Sequence, residues 1–332
     1  MIKIAFEEHF GTPELMGLRK EMLTKRGMFI NLPPEELKRT ANLACDIEQF
    51  RIPSMEKSGI KLQVLQGGSN GIEGIENPQT ALEKAKAFND TIADVVARYP
   101  DKFLGLAILP LQDPELAARE YERCTTELGL RGIASPGFRI NDGLFLDDKI
   151  FEPVFKVLED YHGLFYLHPT ETPIKQTELY YINCSVLNGP TWSWGVDTAT
   201  SLMRLIFNGV FDRFPGTRVL VGHMGEMIPY SLWRMNNRWK IMSAESCNQK
   251  QPSDYFKENI YITTSGNLSP AAMKCAIEAI GSDRILFGVD YPFEPIEEAA
   301  EYIDTVDIEQ EDRENICYKN AEKLLNMKFD VI

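Results

Sequence analysis

Short runs of apolar residues recur along the chain, and most are followed by a longer stretch in which apolar positions repeat with helical spacing. This alternation is typical of parallel strands that are covered by helices on both faces. Eight runs fit the description, which is the number of strands in a closed (β/α)8 barrel. The predicted strands cover residues 2–6, 62–65, 103–109, 130–134, 164–167, 218–221, 260–263 and 284–289.

Amphipathic helices are predicted between these strands, with end signals such as Tyr99-Pro100 and Ile280-Gly281. No glycine-rich fingerprint follows the first strand, so an α/β fold of the TIM-barrel type is favoured over an open, doubly wound sheet. The predicted helices cover residues 81–99, 114–128, 150–161, 198–207, 270–280 and 296–305.

Residues 10–50 and residues 169–197 are too long for simple connections, and they are interpreted as insertions after strands 1 and 5. Both are expected on the C-terminal face of the barrel, where lids and subunit contacts lie. The second insertion is rich in aromatic residues, which would either wall a planar substrate or pack within a loop or subunit interface. These aromatic residues are Tyr180, Tyr181, Trp192 and Trp194.

The composition is that of a globular protein, and the chain is predicted to form a single domain over residues 1–332. Apolar residues make up 44% and charged residues 25% of the chain. The net charge of -14 and the lack of a basic run argue against a nucleic-acid partner. Six cysteines without a CxxC pair, no secretion signal and no apolar run of roughly 18 residues predict a cytoplasmic protein outside the membrane.

Three of the four histidines stand where a predicted strand ends: His9, His168 and His223. Glu7 and His9 are two residues apart on one strand, so their side chains are expected to share a face. Asp290 follows the eighth strand, which lies beside the first strand in a closed barrel. These groups are therefore expected to meet at the barrel mouth. The predicted metal ligands are Glu7, His9, His168 and Asp290.

Two imidazoles and two carboxylates suit a divalent ion such as Zn2+, Mn2+ or Fe2+, and the oxygen ligands favour Mn2+. One ion, Mn2+ or Zn2+, is therefore predicted. A lone histidine at any of these positions would more often be a hydrogen-bonded structural residue, but the strand-end placement of the whole set favours a metal site. His162 precedes the fifth strand, so it is expected at the opposite face in a structural role.

His223 and two nearby residues are the candidates for direct chemistry. His223 is expected to contact a metal-bound substrate, while Glu226 fixes its tautomer or raises its basicity. Glu226 is equally well interpreted as a solvated carboxylate in the first turn of a helix. Arg234 is a candidate for binding an anionic group of the substrate, or else forms a structural ion pair.

A series of short motifs extends along nearly the whole chain. Together they resemble the amidohydrolase superfamily, and in particular its subgroup of γ-resorcylate, 2,3-dihydroxybenzoate and 2-amino-3-carboxymuconate-semialdehyde decarboxylases. The motifs are Phe6-Glu7-Glu8-His9-Phe10, Leu109-Pro110-Leu111-Gln112-Asp113-Pro114, Tyr166-Leu167-His168-Pro169, Gly189-Pro190-Thr191-Trp192, Gly222-His223-Met224-Gly225-Glu226, Thr263-Thr264-Ser265-Gly266-Asn267, Arg284-Ile285-Leu286-Phe287, Asp290-Tyr291-Pro292-Phe293-Glu294 and Asn320-Ala321.

The resemblance implies a mononuclear decarboxylase rather than a hydrolase. Hydrolytic members carry His-x-His on the first strand, where this chain has Glu7-x-His9, and no lysine stands near Ile133-Ala134-Ser135-Pro136-Gly137 to bridge a second metal. Two departures from the resorcylate pattern bear on the identity of the substrate. Pro136-Gly137-Phe138 replaces Asn-Gly-Phe, and Asn236-Asn237 replaces Asp-His.

The implied reaction is nonoxidative loss of CO2 from an ortho-hydroxylated aromatic acid of the 2,6- or 2,3-dihydroxybenzoate type. Asp290 would protonate the ring, His223 held by Glu226 would donate a hydrogen bond, and Arg234 would support the charged groups. Family members commonly form homodimers or homotetramers. Two other classes stay open: a metal-dependent hydrolase of a lactone or amide that uses a metal-bound water, and a noncatalytic binding barrel.

Overall fold

The computed structural model describes residues 1–25, 33–68 and 71–329. Eight strands, all of them parallel to their neighbours, follow one another around the molecule in sequence order. The strands are β1 (Lys3–His9), β2 (Ile60–Gln66), β3 (Phe103–Gly105), β4 (Gly132–Ser135), β5 (Leu164–Leu167), β6 (Arg218–Val221), β7 (Ile260–Thr263) and β8 (Ile285–Leu286).

Helices connect the strands and form the outer layer. They are α1 (Pro13–Lys25), α2 (Pro34–Cys45), α3 (Arg51–Lys57), α4 (Pro78–Arg98), α5 (Pro114–Thr126), α6 (Glu152–Asp160), α7 (Ile174–Tyr180), α8 (Ser193–Phe207), α9 (Val210–Arg213), α10 (Ile228–Met242), α11 (Pro252–Glu258), α12 (Pro270–Ile280), α13 (Ile296–Thr305), α14 (Gln310–Glu314) and α15 (Asn320–Leu325). None of the helices in the described ranges is long and apolar enough to cross a membrane.

The strands form two sheets, β1–β3 and β4–β8, and backbone hydrogen bonds join these sheets to each other on both sides. Ala107 donates to Gly132 O (2.8 Å), and Ala134 donates back to Ala107 O (2.9 Å). On the other side Phe6 N donates to Phe287 O, just beyond β8, at 2.9 Å. The eight strands therefore form a closed ring, as the sequence predicts.

Two apolar layers stabilise the barrel. The inner layer contains side chains such as Phe6, Val64 and Leu220, which alternate along the strands with those of the outer layer between strands and helices. Leu324 of α15 joins the inner layer, and the carbonyl of the same residue accepts from Arg218 Nη1 at the start of β6 (3.5 Å). The last helix thus covers the N-terminal end of the barrel and leaves the C-terminal end open.

Two predicted strands, residues 103–109 and 284–289, are longer than the observed β3 and β8. The prediction of their ends was wrong because polar side chains, rather than a neighbouring strand, accept hydrogen bonds from the backbone there. Asn89 Oδ1 accepts from Ile108 N (2.9 Å), and Thr264 Oγ1 accepts from Gly288 N (3.1 Å). Apolar runs alone do not reveal this replacement of ladder bonds by side-chain bonds.

The two insertions contain helices that the hydrophobic pattern did not predict. The first contains α1 and α2, and the second contains α7. The start of the second insertion is tied to α8, which begins at the end of the insertion and continues along the barrel, by a hydrogen bond from Thr172 Oγ1 to Asp197 Oδ2 (2.6 Å). Asp197 is largely buried, and this burial raises the pKa of its carboxyl to about 6. The insertion is therefore anchored to the barrel by a carboxyl that titrates just below neutral pH.

Replacement of Asp197 by Asn is expected to stabilise the protein at pH 8 and to have little effect below pH 4. The pKa of Asp197 is higher in the folded chain than in the unfolded chain, where it is about 3.9. Its protonated form therefore stabilises the fold at low pH, and this contribution is lost as the pH rises through about 6. The expected gain at pH 8 is at most about 3 kcal/mol in urea unfolding. An equal gain at pH 4 and pH 8 would contradict this account.

Candidate active site

A bulge at the end of β1 directs Glu7 into the barrel mouth. The pairing with β2 shifts between Phe6 and Glu8, and Glu7 has a left-handed backbone (φ 74°). Ala5 packs in the outer layer and Phe6 in the inner layer, so regular alternation would place Glu7 in the outer layer. The bulge reverses the alternation, and both Glu7 and His9 reach the mouth.

The carboxylate of Glu7 is fully buried and its two oxygens have different surroundings. Oε2 accepts hydrogen bonds from the hydroxyls of Tyr166 and Ser265, and a longer one from Thr263 (3.5 Å). Oε1 has no hydrogen-bond partner in the described chain. Burial raises the pKa of Glu7, although the nearby His223 opposes the shift. An unpaired buried oxygen of this kind needs a cation or a proton donor.

His168 and His9 present ring nitrogens to the same region. His168 Nε2 lies 3.8 Å from Glu7 Oε1, while its Nδ1 contacts Pro169 O at 2.6 Å. Burial holds the pKa of His168 well below its usual value, so the ring is neutral. Because Nδ1 then carries the proton that bonds the carbonyl, the lone pair of Nε2 faces Glu7. His9 Nε2 lies 3.0 Å from Asp290 Oδ1.

His223 completes the cluster from the end of β6. Its Nε2 lies 3.7 Å from Glu7 Oε1 and 3.5 Å from Asp290 Oδ2, and its Nδ1 lies 2.6 Å from Glu226 Oε1. Burial alone lowers the pKa of His223, but the Glu7 and Glu226 carboxylates outweigh burial and hold it well above its usual value. Glu226 is buried, so the interpretation of this residue as a solvated carboxylate is wrong.

Left-handed backbone conformations are concentrated at these residues. Asp290 has φ 77°, and His223, Met224, Glu226 and Met227 have φ between 53° and 67°. Non-glycine residues adopt this region at a cost of about 1–3 kcal/mol each, and they do so mainly at functional sites. The rest of the fold therefore maintains a strained loop after β6 in order to orient His223.

Two overlapping groups could each hold a metal ion, with all their ligand atoms within 4.8 Å of one another. Glu7, His9 and His168 form one group, and Glu7, His223 and Asp290 form the other. The structure thus brings all four predicted metal ligands together and places His223 beside them. The donor set of carboxylates and imidazoles, together with the unpaired Glu7 Oε1, fits one divalent ion such as Mn2+ or Zn2+.

A buried polar network behind the site was missed in the sequence. Arg51 is fully buried, and it donates to His9 O and to Gln63 Oε1 (3.2 Å). Its guanidinium also lies 4.4 Å from the centre of the Tyr291 ring, beside Asp290. These contacts connect the backbone on both sides of the site. The signal in the sequence was polar Gln63 within a predicted apolar strand, whereas Arg51 itself is far from the motifs along the chain.

A cavity of ≈ 1370 Å³ lies over this cluster, and His9, His168, His223 and Asp290 are part of its wall. Aromatic side chains line it as well: Trp192, Trp194, Tyr230 and Phe293. Two aromatic residues of the second insertion, Trp192 and Trp194, thus line the cavity, and their contact with a planar substrate stays a prediction. Tyr180 and Tyr181 are not among the described lining residues.

Arg234 lies apart from this cavity. It is an exposed residue of α10 and lines a separate groove of ≈ 570 Å³ together with residues such as Arg238 and Trp239. Within one chain the structure does not bring Arg234 to the other predicted site residues, and its role in substrate binding stays a prediction. His162 lies in the turn before β5, at the end of the barrel opposite the cavity, as expected.

The sequence profile of the amidohydrolase family matches residues 49–327, so the chain belongs to this family. Over 331 residues it is 37% identical to the γ-resorcylate decarboxylase of Polaromonas sp. strain JS666, and the alignment covers 98% of each chain.

Two solved structures are also similar. The 2,6-dihydroxybenzoate decarboxylase from Rhizobium superposes with a TM-score of 0.90 at 34% identity, over 98% of this chain and 99% of that one. A dihydroxybenzoic acid decarboxylase from Polaromonas sp. JS666, with bound manganese and the inhibitor 2-nitroresorcinol, superposes with a TM-score of 0.88 at 36% identity. The match covers 98% of this chain and 97% of that one. The closed (β/α)8 fold is thereby confirmed.

Replacement of Gly222 by Ala is expected to weaken Mn2+ binding by roughly tenfold or more. A Cβ atom at this position would lie 2.4 Å from Glu7 Oε2 and 2.9 Å from the Tyr166 hydroxyl, so the buried carboxylate would have to move. Isothermal titration with Mn2+ measures the effect. Gly17→Ala is the control, because nothing lies within 4 Å of a Cβ there. Equal affinities of the two variants would contradict the assigned role of Glu7.

Proposed function

We propose that the protein is a metal-dependent, nonoxidative decarboxylase of a small ortho-hydroxylated aromatic acid, of the 2,6- or 2,3-dihydroxybenzoate type. The observation that carries the proposal is the convergence of Glu7, His9, His168 and Asp290 around an unpaired buried oxygen below an aromatic-lined cavity. Full-length similarity to γ-resorcylate decarboxylases supports the reaction class.

The residues that would hold the ion are Glu7, His9, His168 and Asp290. Mn2+ is favoured over Zn2+ because the similar Polaromonas structure contains manganese. A bound divalent ion would attract the substrate carboxylate and its ortho oxygen and neutralise their charge, which offsets the repulsion of an anion by a chain with a net charge of -14. Trp192, at the wall of the same cavity, would orient the flat ring.

Asp290 would transfer a proton to the ring carbon that bears the carboxylate. The bond between that carbon and the carboxylate then breaks, CO2 leaves, and the bonding electron pair returns to the ring and restores its aromaticity. One proton is consumed for each CO2 released. His223, oriented by Glu226, would donate a hydrogen bond to a substrate oxygen when the substrate binds, before any proton is transferred.

The proton on Asp290 requires a source, because its carboxyl is ionised in the free site. Burial alone raises the pKa of Asp290, but hydrogen bonds from His223 and His9 outweigh burial and hold that pKa below its usual value. His223 has a raised pKa, and its Nε2 lies 3.5 Å from Asp290 Oδ2. His223 is therefore the group from which Asp290 would receive the proton when substrate enters.

Asp290→Asn is expected to reduce CO2 release from the Mn2+-loaded enzyme by at least about a thousandfold while substrate still binds. The amide cannot deliver the proton. CO2 release over a panel of hydroxybenzoates gives kcat, and isothermal titration gives binding. Cys275→Ala is a control in the same cavity wall. Turnover retained by Asp290→Asn would refute the assignment, and opening of lactones or amides without CO2 release would show a hydrolase instead.

We also propose that the chain acts as one domain in the cytoplasm and assembles into homodimers or homotetramers. All six cysteines are unpaired, as suits a reducing compartment. Large apolar side chains are exposed on α7 and on α10, notably Leu179 (71%), Tyr230 (85%) and Trp233 (77%). Apolar exposure of this kind is typical of subunit contacts.

Trp233→Ala is expected to raise the subunit dissociation constant by roughly tenfold or more, because buried tryptophans dominate the binding energy of interfaces. Sedimentation equilibrium over a range of concentrations measures this change. Phe50→Ala, which removes an exposed aromatic side chain before α3, is the matched control. A monomeric wild-type protein, or equal dissociation constants for the two variants, would contradict the proposed interface.

A further inference from the structure

One wall of the active-site cavity is a face of α1. Leu15, Arg19 and Leu23 follow at intervals of four residues and all line the cavity. Arg19 is thus a cationic side chain in the middle of an otherwise apolar row. A charge at this place is unusual for a wall that only excludes water.

The position of Arg19 is fixed relative to the metal-binding residues. Its Nη2 donates to Glu171 Oε1 at 2.9 Å, and the two side chains are only 21% and 6% exposed. Glu171 also accepts from Thr170 Oγ1 (3.1 Å), and it follows His168 by three residues. The ion pair therefore joins α1 to the loop that carries a predicted metal ligand.

The donors of Arg19 are incompletely used. Within the described chain its guanidinium donates only to Glu171, and its Nε is buried without a partner. Arg51 offers a contrast, because each of its three nitrogens donates to an acceptor. Arginines that stabilise a fold are satisfied in this way, whereas an incompletely paired guanidinium in a cavity wall is typical of ligand recognition.

We propose that Arg19 determines specificity by donating a hydrogen bond to an additional oxygen substituent of the substrate ring. This substituent lies beyond the carboxylate and ortho oxygen assigned to the metal, so the inference rests on the proposed function. The substrate class is then an aromatic acid with a further hydroxyl or methoxy group. A second carboxylate fits less well, because Glu171 already neutralises Arg19, and bidentate binding through Nε and Nη2 would compete with the bond to Glu171.

The test is the substrate selectivity of the Mn2+-loaded enzyme. CO2 release is measured for 2-hydroxybenzoate, for its derivatives with one further hydroxyl or methoxy group at each ring position, and for 5-carboxy-2-hydroxybenzoate. The wild type is expected to prefer one derivative over 2-hydroxybenzoate by roughly tenfold or more in kcat/KM. Arg19→Gln is expected to abolish this preference, mainly by raising KM for the preferred derivative. Its kcat/KM for 2-hydroxybenzoate should stay within about twofold of the wild-type value. Lys20→Gln, which removes a more exposed cation from the same wall, should keep it.

Three results would overturn the inference: no preference in the wild type, a preference that Arg19→Gln retains, or an equal loss for every substrate, which would indicate a structural role. An Arg19-dependent preference for 5-carboxy-2-hydroxybenzoate over all hydroxylated derivatives would also overturn it. If no compound releases CO2, the proposed function fails. The role of Arg19 in ligand recognition is then tested by the affinities for 2-nitroresorcinol and 2-nitrophenol, measured by isothermal titration. Tighter binding of 2-nitroresorcinol that Arg19→Gln abolishes supports the inference, and any other pattern refutes it.

Discussion

The site depends on one buried carboxylate. Glu7 is held through Oε2 by three hydroxyl groups on β5 and around the end of β7, while Oε1, at the centre of the cluster, has no hydrogen-bond partner among the described residues. Burying such an oxygen is unfavourable unless a cation or proton compensates for it. The barrel therefore pre-forms a position for positive charge. His9 lies at the end of the same strand, and His168 and Asp290 approach this position from the ends of β5 and β8.

Much of the surrounding structure serves to maintain that geometry. The bulge at Glu7 turns the carboxylate inward, and the strained loop after β6 turns His223 toward it. Arg51 links the backbone of His9 to Tyr291, next to Asp290. These features cost conformational energy, and the large apolar core of the barrel supplies the stability that tolerates them. The open C-terminal end then gives a flat ring access to the cluster.

The order of strands and the convergence of Glu7, His9, His168 and Asp290 could be predicted because barrel topology brings strand ends together whatever the details of each strand. The reason why Glu7 faces the mouth could not be predicted, because period-2 alternation from Phe6 places Glu7 on the outer face, and only the bulge corrects this. The ends of β3 and β8 were missed because Asn89 and Thr264 bind backbone groups from a distance in sequence. Arg19 was missed for a similar reason. Its significance depends on Glu171, which only the folded chain brings near.

The central claim is that these strand ends form one metal site whose ion contacts both substrate oxygens. A crystal structure of the Mn2+-loaded protein with a nonreactive ortho-hydroxylated analogue, recorded with anomalous scattering at the manganese edge, tests it most directly. The account predicts a single strong peak in contact with Glu7, His9 and His168, and near Asp290, with the analogue bound to the same ion. A fully loaded crystal with manganese elsewhere, or with the analogue bound away from the ion, would contradict it.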